Sequence, residues 1–183
     1  DATINGITVG KGTNSAQGNT ALGESALDGS VTGINNTAVG SNALTTNTSG
    51  QRGVAVGVSA LRLNTTGTDN VAVGVSALDN NTTGSQNTAL GRFTLGVNTT
   101  ADNNTAVGYF ALSANTTGTK NVAVGSQSLD ANTTGDFNTG LGHNTLGLNT
   151  TGDSNVAVGR AALANNTTAS NNTAVGADAL TSN

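Results

Sequence analysis

The stretch Asn104-Thr105-Ala106-Val107-Gly108 decides the fold, because the same five residues occur at positions 36–40 and again at 172–176. The copies are separated by multiples of 17 residues. Glycine recurs at that period with no insertion or deletion: Gly23, Gly40, Gly57, Gly74, Gly91, Gly108, Gly125, Gly142, Gly159 and Gly176. An unbroken short period is typical of a solenoid, in which each repeat forms one turn that stacks on its neighbours.

The repeats divide the chain into two parts. Counting from Asn19, nine full repeats end at Asn171 and a partial tenth ends at Asn183. We call each repeat a coil, numbered 1 to 10, and its 17 positions columns 1 to 17. Residues 1–18 contain one strand-like segment at 7–10 and are too short for a full repeat, so they are predicted to form an N-terminal capping coil. No similar cap follows the array, so we expect a fragment of a longer chain.

The composition of one repeat predicts β-structure. The turn-forming Asn-Thr-Thr-Gly segment, as at 64–67, leaves too little room for two helices. In residues 70–74, β-branched side chains alternate before a glycine corner, which predicts a short first strand. A second short strand is predicted around Ala60 and Leu61. The fold class is therefore all-β, a parallel β-solenoid of 17-residue coils.

Several columns are restricted in side-chain size, and this restriction predicts the packing. Column 9 is always Leu and column 4 is always Val or Leu, so both are predicted to form a buried apolar ladder. Column 3 is Ala except at Gly140, and column 8 is Ala, Ser or Thr. Columns 3 and 4 point to opposite faces of a strand, so both faces are restricted. We interpret one as a contact with another chain, without deciding which; the alternative is a flat, closely layered coil.

Asparagine recurs in columns 1 and 12, where stacked amides are predicted to hydrogen-bond between coils. The Asn-Thr-Thr triplets also match the N-glycosylation pattern. Because they recur with the turn itself, no sugar is assigned to them.

Composition argues against several classes of function. The chain has net charge −4, six scattered basic residues, 2% aromatic residues and no Cys, so no disulfide, thiolate site or nucleic-acid partner is predicted. No stretch is apolar enough for membrane insertion in this segment. His143 lies in a variable column, away from Asp136 and Asp153, and the acidic residues form no calcium-binding ladder. We predict no enzyme, no catalytic residue, no cofactor and no metal.

One group of side chains is a candidate contact surface. Arg92 and Tyr109 share column 6 of adjacent coils, and Phe93 and Phe110 share column 7. Stacking at about 4.8 Å would bring the four together. Exposed aromatic and Arg side chains suit a receptor or glycan contact; an outer stack, or packing against a neighbouring chain, is the structural alternative.

The repeat unit resembles the head repeats of YadA-like trimeric autotransporter adhesins and related repeats of phage tail fibres. The resemblance covers residues 19–183 and implies a left-handed β-roll of three parallel chains that holds a binding surface away from a cell or virion. The period is longer than the roughly 14 residues usual in adhesin heads. The opening residues 2–10 look more like phage fibres. We therefore expect an in-register homotrimer, a structural and adhesive fibre segment on a virion or bacterial surface, with an adhesin head as the alternative.

An ice-binding β-solenoid is the alternative of another class, because such proteins carry ranks of Thr. Here Thr65 and Thr66 and their equivalents are adjacent and predicted to lie in a turn on opposite sides. The column-2 Thr rank is interrupted by Val54, Val71, Val122 and Val156. The sequence therefore favours the fibre.

Overall fold

The computed structural model describes residues 2–4, 7–12, 16–29 and 31–182 of the chain. Within them there are twelve strands and no helix. The strands are β1 (Ala2–Ile4), β2 (Ile7–Gly10), β3 (Thr20–Gly23), β4 (Thr37–Val39), β5 (Val54–Val56), β6 (Val71–Val73), β7 (Thr88–Leu90), β8 (Thr105–Val107), β9 (Val122–Val124), β10 (Thr139–Leu141), β11 (Val156–Val158) and β12 (Thr173–Val175). None of the described segments is a helix long and apolar enough to span a membrane.

The strands form a single sheet in chain order. Strands β3 to β12 are parallel, and each residue pairs with the residue 17 positions later, as Val71 does with Thr88. This arrangement confirms a β-solenoid with one strand per coil. Strands β1 and β2 are antiparallel to each other, and β2 is antiparallel to β3. The opening segment is therefore a hairpin that covers the edge of β3 rather than a shortened parallel coil.

The column-5 glycines turn the chain out of each strand. Gly91 has φ +134°, and a Cβ on it would lie 2.5 Å from the carbonyl oxygen of Gly108 in the next coil. The other glycines of this column that are followed by another coil have the same close approach. Because a side chain would be strained by both the dihedral angle and the contact, this column admits only glycine.

The predicted second strand is wrong. Residues 58–63 form a turn, in which Ser59 and Leu61 have φ of 57° and 53°. Every non-glycine residue with positive φ lies in column 7, 9 or 17. The left-handed conformation curls the chain back within a few residues, and bonds between coils hold it there: the Leu61 amide donates to the Ala77 carbonyl at 2.9 Å. Leu has no sequence preference for this conformation, so alternation alone could not reveal it.

The core lies on the column-3 face of the sheet. The Ala side chains of column 3, the small residues of column 8 and the Leu side chains of column 9 are buried in coils 1 to 9. The prediction for column 9 is confirmed there. The prediction that column 4 belongs to the same buried ladder is wrong, since Leu22 is 45% exposed and Val73 and Leu90 are each 37% exposed. Column 4 lies on the outer face because adjacent strand residues point to opposite sides.

The Gly140 exception in column 3 has a packing reason. A Cβ at this position would lie 2.5 Å from Ser128 Oγ and 2.7 Å from Thr145 Oγ1. These two hydroxyl groups are 2.7 Å apart and hydrogen-bonded, and Ser128 also donates to the Gly140 carbonyl. The hydroxyl pair therefore occupies the space that an Ala methyl group takes in other coils.

Two columns of buried Asn side chains tie the coils together, as predicted. In column 12, Asn81 Nδ2 donates to Asn64 Oδ1 at 2.9 Å. In column 1, Asn70 Oδ1 accepts from the Asn87 backbone amide. Both columns also meet within one coil, because Asn70 and Asn81 donate to the same Gly84 carbonyl oxygen, at 2.7 and 2.9 Å. Buried amides with every donor used stabilise the stack without apolar area.

Candidate functional site

The structure brings the four predicted contact residues into one cluster. The Phe93 and Phe110 ring centroids are 5.1 Å apart, and the Tyr109 ring meets Phe110 edge-on at 4.5 Å. The Arg92 guanidinium lies 4.5 Å from the centre of the Phe93 ring. These distances are those of favourable aromatic and cation–π contacts. We call these four residues the aromatic cluster.

The local backbone sets how each member is presented. Gly91 and Gly108 end their strands, so Arg92 and Tyr109 follow the corner and are exposed, Tyr109 by 48%. Phe93 and Phe110 each have φ 58° and are half-buried. The Phe110 amide donates to the Arg92 carbonyl at 3.1 Å, which fixes the spacing of the two coils at this point. The aromatic cluster is therefore an outer stack that leaves part of each ring accessible.

A cleft of about 470 Å³ opens beside the two Phe rings. It crosses coils 4 to 6 and is lined by Ser76, Asp79, Asn80, Phe93, Gly96, Val97, Phe110, Ser113 and Ala114. These residues belong to columns 7, 10 and 11. The volume falls within the range of small-molecule sites in proteins. Sequence reasoning identified the rings and missed the cleft.

Gly96 makes room for the cleft. It occupies column 10, where the neighbouring coils carry Asp79 and Ser113. A Cβ at Gly96 would make only an ordinary contact, 3.4 Å from the Phe93 carbonyl oxygen. The glycine is therefore not required by the backbone. Its coincidence with aromatic residues in column 7 of the same and the next coil is the sequence signal that could have indicated the cleft.

The polar side of the cleft is held by an ion pair. Arg62 Nε donates to Asp79 Oδ1 at 2.7 Å, whereas its second contact, to Oδ2, is 3.4 Å long. The Asp79 side chain is only 20% exposed. Arg62 therefore orients this carboxylate and leaves Oδ2 with capacity to accept another hydrogen bond.

The residues weighed as catalytic or metal ligands stay apart. His143 is exposed. Asp136 Oδ1 accepts from the Thr119 amide, and Asp153 Oδ1 accepts from the Asp136 amide, so both carboxylates link coils. Burial raises the pKa of the Asp130 carboxyl, and the charge of nearby His143 opposes that rise. Within the described ranges, no three His, Cys, Asp or Glu side chains are grouped to hold a metal ion.

The Asn-Thr-Thr turns present one rank of Thr to solvent. Thr65 Oγ1 donates to the Thr82 carbonyl oxygen at 2.9 Å, and its column-13 equivalents bond in the same way. Thr66 and its column-14 equivalents are exposed. The column-12 Asn side chains are buried and hydrogen-bonded, so in the folded protein they are out of reach of a glycosyltransferase.

The outer face of the sheet is the second candidate surface. It consists of column 2, which is Thr or Val, and column 4, which is Val or Leu, with no charged residue in ten coils. Most of these side chains are half-buried, and Leu22, Val73, Leu90, Leu141 and Val175 are more exposed. We call columns 2 and 4 the outer sheet face.

No family model matches this chain, and no curated protein or solved structure gives a significant match. The functional reading therefore depends on the chain's own geometry and on the resemblance of its repeat.

Proposed function

We propose that the chain is a non-enzymatic structural and adhesive segment of an extracellular fibre, on a virion or a bacterial surface, and that it assembles as a parallel, in-register homotrimer. The observation that carries the proposal is the apolar outer sheet face. Parallel sheets in proteins almost always have both faces covered. Here the column-3 face is covered by the chain's own core, and the outer face is not.

The size of this face supports a partner. Ten strands at about 4.8 Å and three residues per strand give a strip of roughly 400 Å². Monomeric proteins rarely expose contiguous apolar patches larger than a few hundred Å². A second copy of the chain offers a strip of the same length, period and composition, so a rotational axis parallel to the solenoid would bring identical columns together.

The corrected position of column 4 specifies which columns form the subunit contact. With column 3 inside, replacing Ala72, Ala106 or Ala123 by Leu would overpack the core of one chain. The contact between chains is assigned to columns 2 and 4. The adhesin head, the alternative surface fibre, would use the same contact.

The test replaces Val73, Leu90 and Val107 with Lys in one variant. We expect wild-type protein to have three times the 17.7 kDa mass of one chain in light scattering, and the variant to be a folded monomer. The control replaces Val58 and Val75 with Lys; these column-6 residues are 49% and 43% exposed but lie outside the outer sheet face. A monomeric wild-type protein at micromolar concentration would contradict the trimer.

A further inference from the structure

We propose that the cleft across coils 4 to 6 is a saccharide-binding site, which takes one or two pyranose rings of a surface polysaccharide. The rings of Phe93 and Phe110 would contact the C–H groups of the sugar, and Asp79, Asn80 and Ser76 would bind its hydroxyl groups. The inference adds a ligand class to the adhesive function proposed above. The cleft is formed by one chain and shares no residue with the outer sheet face.

The apolar wall suits a flat ligand with C–H groups on its face. Phe93 and Phe110 come from adjacent coils and are held 5.1 Å apart by the stacking of the chain. Tyr109 and Arg92 buttress them at 4.5 Å from outside the cleft lining. A wall fixed in this way loses little side-chain entropy when a ligand binds.

The polar side has unused hydrogen-bonding groups. Asp79 Oδ2 is only weakly engaged by Arg62. The Asn80 amide and the Ser76 hydroxyl form no side-chain hydrogen bond within the described part of the chain, and Ser113 Oγ uses its proton on the Asp130 carbonyl but keeps its acceptor capacity. Carboxylate, amide and hydroxyl groups together can both donate to and accept from the hydroxyl groups of a sugar.

The charges argue against other occupants. Asp79 is paired with Arg62, and Arg92 forms no ion pair with any described residue, so the local charge does not favour a cationic ligand. An apolar side chain from a protein partner would bury Asp79 and Asn80 without hydrogen bonds, which is unfavourable. A neutral or carboxylated saccharide satisfies the ring wall and the polar side together.

The chain carries its own reporter for the test. Tyr109 is the only tyrosine and there is no tryptophan, so tyrosine fluorescence comes from the aromatic cluster alone. The purified chain would be titrated with maltotriose, cellotriose, triacetylchitotriose and trigalacturonic acid. We expect a saturable fluorescence change with at least one of them, and saturation-transfer NMR signals on its ring C–H protons.

Two variants make the result specific. Gly96→Thr fills the cleft while keeping both rings, and Thr45 already occupies this column in coil 2. Gly147→Thr changes the same column where no aromatic residue is adjacent. We expect Gly96→Thr to weaken binding at least tenfold and Gly147→Thr to leave it unchanged, with the circular dichroism of both like wild type. Absence of binding across the panel, equal binding by Gly96→Thr, or binding of N-acetylleucinamide in place of the sugars would overturn the proposal. None of these outcomes depends on the oligomeric mass.

Discussion

Asn81 donates from Nδ2 to Asn64 Oδ1 across the boundary between coils 3 and 4, at 2.9 Å, with both side chains fully buried. Asn98 in turn donates to Asn81 Oδ1. Replacing Asn81 with Ala leaves an acceptor on Asn64 and a donor on Asn98 unpaired. We expect a loss of about 2 kcal/mol or more in stability, measured by thermal unfolding. Thr83→Ala, at an exposed position two residues away, should change stability by less than about 0.5 kcal/mol.

Gly53 interrupts the column-1 Asn ladder and offers a stabilising substitution. Its amide accepts the usual arrangement by donating to Asn36 Oδ1 at 2.8 Å, but it has no side chain to bind Asn70. A Cβ there would meet its nearest neighbour, Asn36 Oδ1, at 3.1 Å, and every other coil holds Asn in this column. Gly53→Asn should therefore raise stability by about 1 to 2 kcal/mol. Gly53→Ala is the control, and an equal gain from it would show that the amide bonds are not the cause.

Gly140 and its two hydroxyl neighbours predict a non-additive set of variants. Gly140→Ala alone places a methyl group 2.5 Å from Ser128 Oγ, which should cost about 1 to 3 kcal/mol. Adding Ser128→Ala and Thr145→Ala recreates the composition of the other coils. The triple variant should recover most of the loss in a thermal melt. Additive losses in the triple variant would contradict the packing explanation.

Gly91 and Gly96 lie in the same coil and should respond differently to Ala. Gly91 has φ +134° and a contact with the next coil, so Gly91→Ala should destabilise by several kcal/mol or prevent folding. Gly96 has neither constraint, and Gly96→Ala should be tolerated. Soluble yield and the melting temperature of the two proteins measure the difference; a similar loss in both would contradict the assignment of column 5 as the backbone corner.

Asp130 predicts a dependence of stability on pH. Burial raises the pKa of its carboxyl in the folded chain above the value of about 3.9 expected when unfolded. The folded state therefore binds the proton more tightly, and this contribution to stability is full below the unfolded pKa and is lost as the pH rises through the folded pKa. Asp130→Asn should gain stability relative to wild type as the pH rises from 3 to 6. In a His143→Ser background the gain should be larger, because the opposing charge is gone; a difference independent of pH would contradict it.

The sequence was sufficient for the period, the register, the first strand and the Asn ladders, because each depends on residues that repeat at fixed spacing. It was insufficient for the turn at Leu61, whose left-handed conformation is imposed by bonds between coils and not by the preference of Leu. It also placed Val73 in the core, since an apolar column looks the same whether it packs inside a chain or lies on an outer face. The aromatic cluster was found because it breaks the repeat, and the cleft was missed because Gly96 resembles many other glycines.

The fixed step of 17 residues between Val71 and Thr88, and between every later pair of strands, has a genetic consequence. Recombination between copies of the repeat would remove or add whole coils, and each remaining coil would still meet a neighbour with the same Gly corner, Asn amides and Leu core. The length of the rod could then change in increments of about 4.8 Å during evolution without a new fold. A frame-preserving change of any other size would shift all of these columns out of alignment at once.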